Sequence, residues 1–248
     1  MLLISMILGA GLLVQLVNQT GEEIRQSRAE LLERENEDLL LPDMKISPPR
    51  QMYISYAPGN REIRFDTTFA NVGEGPLELD GETDEAEGII TARQIIKRKD
   101  GGQEERLVGE FVFHPGHNHW HVDKYSNFQL WEYDERGEAT NLLAETDKIS
   151  FCIWDEHPYD LTLENAPQRR QYPFCVNSIQ GNSVGWGDTY SPTTEGQSLN
   201  IQNIPDGKYL IRATVNVDNR ILEKNYSNNV ATLHIEIRGN NLEIIEGP

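Results

Sequence analysis

After residue 48, no stretch of the chain has the apolar periodicity of a long amphipathic helix. The sequence instead consists of short runs rich in β-branched and aromatic residues, such as residues 52–56, 127–133 and 229–237, which are separated by Gly, Asn and Asp. Short alternating runs between turn residues are typical of antiparallel strands. We therefore predict an all-β fold, specifically a β-sandwich, with long irregular loops between residues 155 and 200.

The N-terminal residues differ in composition from this β-rich part. Residues 1–17 carry no charged side chain, but the run is shorter than the ~20 apolar residues of a typical membrane-spanning helix. We predict that residues 1–18 form a hydrophobic helix that acts as a signal peptide or membrane anchor. Residues 19–41, rich in Glu, Arg and Leu, are predicted to form a helical stalk or flexible linker. Residues 42–248 then form one large domain.

Charge and cysteine content restrict the partners and the compartment. The net charge of −18 argues against nucleic acid as a partner and favours a cationic substrate or surface. The two cysteines, Cys152 and Cys175, can form one disulfide in an oxidising compartment, although two buried thiols would fit the sequence equally well. Together with the apolar N-terminus, this favours an extracytoplasmic protein that is either secreted or membrane-anchored.

Histidine is concentrated in one segment, where four of the six histidines occupy positions 114, 117, 119 and 121. On an extended strand alternate side chains share a face, so His117, His119 and His121 are expected to point the same way. Imidazole binds Cu(II), Zn(II), Ni(II) and Fe(II), and three imidazoles leave coordination positions open. We predict a catalytic transition-metal site with these three histidines as ligands. The alternative is a solvated histidine-rich turn.

Three segments together resemble the catalytic domain of the copper-dependent lysyl oxidase family. They are His114-Pro-Gly-His-Asn-His-Trp-His121, Lys148-Ile-Ser-Phe-Cys152 and Gln180-Gly-Asn-Ser-Val-Gly-Trp-Gly-Asp-Thr-Tyr190. The similarity extends from about residue 42 to residue 238. Animal members of that family contain several disulfides, whereas this chain has cysteines for one at most.

The resemblance implies a copper(II) site at the histidines and a lysyl tyrosylquinone cofactor formed from Lys148 and Tyr190. It implies an amine oxidase that converts primary amines, either peptidyl lysine or small amines, to aldehydes, consuming O₂ and releasing H₂O₂ and ammonia. A general base is required, and Asp123, Asp147 and Asp188 lie near these segments without one being singled out. The alternative is a non-enzymatic extracellular Ig-like module that binds copper or mediates adhesion.

The resemblance also implies a calcium site between the start of the domain and a turn near its end. The corresponding positions are Asp43, Met44 through its backbone carbonyl, Glu223, Asn225, Asn228 and Asn229. Oxygen ligands suit a hard cation such as calcium. Asn225 replaces an acidic residue of the family, which is expected to weaken binding. An ordinary Asn-rich hairpin would account for the C-terminal part of this pattern as well.

Overall fold

The structure is a computed structural model that describes residues 37–84, 89–115, 118–146 and 149–248. The chain divides into two compact units, Met1–Leu39 and Leu40–Pro248. The predicted N-terminal helix and all but the end of the predicted stalk lie outside the described residues. Within the described ranges, no helix is long and apolar enough to cross a membrane.

The described residues form strands, turns and irregular segments, with no helix among them. In chain order the strands are β1 (Leu39–Leu40), β2 (Met44–Ile46), β3 (Arg50–Ala57), β4 (Asn60–Asn71), β5 (Leu77–Asp84), β6 (Ile89–Arg98), β7 (Gln103–His114), β8 (His119–Tyr133), β9 (Ala139–Glu145), β10 (Ile149–Phe151), β11 (His157–Pro158), β12 (Ile179–Asn182), β13 (Trp186–Tyr190), β14 (Ser198–Asn200), β15 (Gly207–Val215), β16 (Val230–Arg238) and β17 (Asn241–Ile244). The all-β prediction is confirmed for this part of the chain.

The strands of the second unit form two antiparallel sheets. The larger sheet has the order β12-β5-β6-β7-β8-β15-β16-β17, with β9 and β10 also paired to β8. The smaller sheet has the order β11-β13-β4-β14, with β2 and β3 also paired to β4. Strands β4 and β8 are therefore the central strands, since each pairs with four other strands of its sheet.

The two sheets pack face to face through alternating apolar side chains. In β16, for example, Ala231, Ile235 and Ile237 are buried, because alternate residues of a strand point to the same side. Between the sheets, Phe65 of β4 meets Phe128 of β8 edge to face, with ring centroids 4.8 Å apart. This packing makes the second unit a β-sandwich.

The predicted disulfide is confirmed, and it anchors the long irregular region. Cys152 and Cys175 are bonded, with their Cα atoms 5.5 Å apart. Between them the buried Asp155 carboxylate accepts hydrogen bonds from the Tyr172 and Ser183 backbone amides, at 3.2 and 2.7 Å. No strand occurs from residue 159 to residue 178, and three short strands, β12, β13 and β14, follow before residue 200. The irregular loop was therefore placed correctly, but it is shorter than predicted.

Candidate functional site

The β7–β8 hairpin positions the described histidines. His114 and His119 are paired across the two strands, so their side chains lie on the same face of the sheet, and His121 shares that face two residues further along. The His114 and His121 rings stack with centroids 5.0 Å apart. His119 and His121 are tilted relative to each other, with centroids 4.8 Å apart. Three imidazoles are thus gathered on one surface of the larger sheet.

The strand that carries the histidines begins later than the sequence pattern indicates. Asn118 has a φ of 55° and donates its backbone N–H to His114 O at 2.9 Å, which places it in the hairpin turn. Strand β8 therefore starts at His119, and within the described residues the alternating pattern applies only to His119 and His121. His117 lies outside the described residues. Sequence reasoning did not select His114, although the Pro115-Gly116 turn signal could have paired it with His119.

The geometry of His119 and His121 fits a shared metal ion. Their Nε2 atoms are 2.8 Å apart. Two imidazole nitrogens that each bind one metal at about 2.0–2.1 Å lie roughly 3 Å from each other, so little movement is needed. The described part of the chain contains no group of three or more His, Cys, Asp or Glu side chains arranged to hold a metal ion. Two of the three histidines predicted as ligands are thus described, and their spacing is compatible with that prediction.

Tyr190 reaches the same region from the smaller sheet. It ends β13, and its ring packs against that of Phe151, with centroids 4.1 Å apart. The phenol hydroxyl donates to the backbone carbonyl of Cys152. Burial raises the pKa of Tyr190 well above its usual value, and the negative charge of Asp188 raises it further. The phenol is therefore a neutral group held by aromatic packing and one backbone acceptor.

Two cavities meet at Tyr190. The first, of about 450 Å³, is lined by His114, His121, Ile149, Phe151 and Tyr190 among others. The second, of about 410 Å³, is lined by His119, Cys152, Trp154, Glu156, Asp188 and Tyr190 among others. The Tyr190 side chain thus borders both cavities, and a histidine of the β7–β8 hairpin lines each of them. The structure brings together the predicted residues His119, His121 and Tyr190.

Asp123 and Asp188, the two described candidates for the general base, have different hydrogen-bond partners. Asp123 accepts a hydrogen bond from Ser150 Oγ at 3.0 Å and forms an ion pair with Lys124 at 3.3 Å. Asp188 accepts from Trp154 Nε1 at 3.1 Å. Burial raises the pKa of Asp188 well above its usual value, and Glu156 adds to this effect. Asp147 and Lys148 lie outside the described residues.

A second polar cluster joins β2 to the turn before β16. The Glu223 carboxylate accepts from Met44 N and from Asn229 Nδ2, each at 2.6 Å, and Asn228 Nδ2 donates to Asp43 Oδ1 at 2.7 Å. Burial raises the pKa of Glu223 to about 7, although its hydrogen bonds lower it and Asp43 raises it further. Asp43, Glu223, Asn228 and Asn229 thus meet in one cluster. Met44 joins them through its backbone N–H, whereas the predicted ligand atom is its carbonyl oxygen.

Asn225 does not join this cluster. Its side chain is exposed, and its Oδ1 atom accepts from Ser227 N at 3.0 Å and Ser227 Oγ at 2.7 Å. Its role in the described structure is to close a local turn.

The cluster has the donor set of a calcium site. The buried side-chain oxygens of Asn228 and Asn229 have no hydrogen-bond partner in the described structure. Rotating each amide by 180° exchanges its nitrogen and oxygen, which would turn those oxygens toward the Asp43 and Glu223 carboxylates. Two carboxylates and two amide oxygens are the ligands that Ca²⁺ prefers. The residues present therefore fit a hard cation.

The fold and the histidine surface beside Tyr190 define a β-sandwich protein with a histidine–tyrosine centre. The family model described as lysyl oxidase matches residues 102–246, so the chain belongs to the lysyl oxidase family. It is 30% identical over 128 residues to the protein-lysine 6-oxidase of Sus scrofa, covering 51% of this chain and 47% of that protein. For the human lysyl oxidase homolog 1 the identity is 29% over 128 residues, covering 51% of this chain and 20% of that protein. The match thus spans less than half the length of these relatives.

Proposed function

We propose that this protein is a copper- and quinone-dependent amine oxidase that converts primary amines to aldehydes with release of H₂O₂ and ammonia. The observation that carries the proposal is the position of Tyr190, which lines both cavities, one with His119 and the other with His121. A tyrosine must lie close to the metal-binding imidazoles if it is to be oxidised there. Membership of the lysyl oxidase family supports the same assignment.

In this proposal His117, His119 and His121 hold copper, and Lys148 and Tyr190 together form the quinone. The bound group supplies an electrophilic carbonyl and accepts two electrons from the amine. The residues of the chain fix its position. Phe151 packs on the Tyr190 ring, and the Cys152 carbonyl holds the hydroxyl.

The support for Lys148 comes from its neighbour in the chain. Ile149 follows it directly and lines the first cavity, in which Tyr190 also forms part of the wall. Consecutive Cα atoms are about 3.8 Å apart, a short distance compared with an extended lysine side chain. A lysine at position 148 is therefore well placed in the sequence to reach a quinone at Tyr190.

The substrate is proposed to be a primary amine, either peptidyl lysine or a small amine. Such an amine is a cation at neutral pH, because the ordinary pKa of a lysine side chain is about 10.4. The net charge of −18 attracts cations to the protein, and Glu156 and Asp188 place carboxyl groups in the second cavity. Electrostatics thus favour amines over anionic substrates.

We also propose an extracytoplasmic location, with residues 1–18 acting as signal or membrane anchor. The Cys152–Cys175 bond supports this, because disulfides persist in oxidising compartments and are rare in the cytosol.

We further propose that Asp43, Met44, Glu223, Asn228 and Asn229 bind calcium. The site joins β2 near the start of the second unit to the turn that precedes β16. Its role is structural, because a cation there offsets the repulsion between the Asp43 and Glu223 carboxylates.

The main experiment uses the full-length protein loaded with copper in air. We expect a peptide mass in which Lys148 and Tyr190 are covalently joined, visible absorbance that phenylhydrazine shifts, and H₂O₂ release when a primary amine is added. Tyr190→Phe should abolish all three signals, and Lys148→Ala should prevent the crosslink while leaving copper bound. Matched controls are Tyr209→Phe, a buried tyrosine whose hydroxyl bonds Pro205 O, and Lys208→Ala, an exposed lysine of β15.

If Tyr190→Phe releases H₂O₂ at the parental rate after free copper is removed, the quinone mechanism is wrong. If the parent binds copper but shows neither absorbance nor turnover, the copper-binding or adhesion module becomes the better description.

A further inference from the structure

We infer that Asp188 is the catalytic base that takes the α-proton from the bound amine; this rests on the proposed amine oxidase function. The side chain is 4% exposed, and its carboxyl lies in the wall of the second cavity together with Tyr190 and His119. A carboxyl at this position is close to the ring that is proposed to bind the substrate.

The β13 backbone places the Asp188 and Tyr190 side chains on the same side of the strand. Asp188 and Tyr190 are separated by two positions on one strand, so their side chains project to the same side. The Tyr190 hydroxyl donates to the Cys152 carbonyl, and Asp188 and Tyr190 line the same cavity. Trp154 Nε1 donates to Asp188 Oδ1 at 3.1 Å, which fixes the orientation of the carboxyl group. The position on the strand and this hydrogen bond together hold the carboxyl in the cavity wall beside Tyr190.

The three other described acids nearest Tyr190, which are Asp155, Glu156 and Glu195, are engaged by other groups. Asp155 is fully buried and accepts four hydrogen bonds, from Gln171 N, Tyr172 N, Ser183 N and Ser183 Oγ, at 2.7–3.2 Å. These bonds saturate its oxygens and tie the long loop to β12 and the turn after it. Glu156 accepts from Thr189 N at 2.8 Å and lies 3.3 Å from His157 Nδ1. Glu195 lines the first cavity, but its side chain is exposed and lies 3.6 Å from His114 Nε2. Asp188 is thus the buried acid that lines a cavity with Tyr190 on the same strand.

The proposed step is a proton transfer coupled to reduction of the quinone. The Cα–H bond of the amine would break, and its proton would move to the Asp188 carboxylate. The quinone would supply the two-electron acceptor for the electron pair of that bond, and O₂ would be the final oxidant. A general base must lie within reach of the proton that it takes, and Asp188 and Tyr190 line the same cavity.

The test compares Asp188→Asn with the parent, both loaded with copper in air. The peptide mass of the Lys148–Tyr190 crosslink is measured first in both proteins. Phenylhydrazine has no α-carbon proton, so Asp188→Asn should form its coloured adduct to the parental extent. Anaerobic loss of quinone absorbance on mixing with benzylamine should slow by about 10²–10⁴-fold. Asp188→Glu, which keeps a carboxylate, should recover part of this rate, and Glu243→Gln, which changes an exposed acid of β17, should leave it unchanged.

The controls separate this inference from the proposed function. Absence of the crosslink and the phenylhydrazine adduct in the parent would overturn the proposed function and, with it, the role of Asp188. If the parent forms both and Asp188→Asn reduces its quinone with benzylamine at the parental rate, only the Asp188 assignment is wrong. Failure of Asp188→Asn to form the crosslink would place Asp188 in cofactor formation and would also overturn the assignment as a base.

Discussion

The Nε2 atoms of His119 and His121 lie 2.8 Å apart at the start of β8, next to the β7–β8 turn. Alternation along the strand puts both rings on one face, and the cross-strand partner His114 stacks on His121 from the adjacent strand. The two nitrogens therefore converge at a spacing that fits two ligands of one metal ion.

We expect His119→Ala to lower the affinity for Cu(II) by at least about 100-fold. The reason is that it removes one of three ligands, whereas loss of an outer-shell partner alone typically costs 10–100-fold. Equilibrium competition with a copper chelator measures this. His234→Ala is the matched control, because His234 lies on β16 against Tyr133. Unchanged affinity in His119→Ala would rule out the three-histidine site.

The disulfide is expected to stabilise the fold and the site together. Replacing Cys152 and Cys175 by Ser removes a crosslink between residues 23 positions apart, which should cost about 3 kcal/mol of unfolding free energy. Because the Cys152 carbonyl holds the Tyr190 hydroxyl, the yield of quinone should fall as well. Urea unfolding and the phenylhydrazine adduct measure the two effects. Parental stability in the double variant would show that the bond adds nothing to the fold.

The fold class was predictable because alternation and turn residues are local signals. The run at residues 229–237 carries both signals, and it corresponds to β16, which pairs with β15. Short strands such as β12 and β13 were missed, because they lie in a Gly-rich segment without alternation. Gly185, with a φ of 76°, forms the turn between them, where a Cβ would lie 2.3 Å from Asp160 O.

The candidate site was predictable as a set of residues but not as a geometry. Histidine spacing and the family resemblance selected His119, His121 and Tyr190, although Tyr190 belongs to the opposite sheet. Nothing in the local sequence shows that Asp188 and Tyr190 line one cavity with His119, or that Asp123 is engaged by Ser150 and Lys124. These contacts depend on how the sheets pack, which is set by residues distant in the chain.

Glu223 is expected to make the metal-free protein less stable as the pH rises. Its folded pKa of about 7 lies above the ordinary value of 4.5. Between these pH values the folded state holds a proton that the unfolded state has lost, so the unfolding free energy falls with rising pH. The full contribution is about 3 kcal/mol. Urea unfolding in EDTA at pH 5 and pH 8 measures it, and Glu223→Gln should remove this part of the slope. An identical slope in the variant would contradict the assignment to Glu223.

Calcium is expected to reverse this destabilisation, because it offsets the charge of Glu223 and Asp43. A ligand that binds only the folded state stabilises it by about 2.7 kcal/mol at one hundred times its dissociation constant, so the melting temperature should rise with calcium concentration.

Asp43→Asn and Asn229→Ala should each reduce the calcium-dependent rise in melting temperature. Asp43→Asn removes the charge of a ligand, and Asn229→Ala removes an oxygen ligand.

Asn225→Ala tests whether position 225, which the family resemblance implies as a ligand, contributes to the site. In the described structure the Asn225 side chain bonds Ser227 and not the Asp43–Glu223 cluster, so the calcium-dependent rise should be retained. Differential scanning calorimetry with calcium, and with magnesium for comparison, gives the measurement. If Asn225→Ala removes the rise while Asp43→Asn retains it, the site lies elsewhere in the turn and the Asp43–Glu223 cluster is a purely hydrogen-bonded junction.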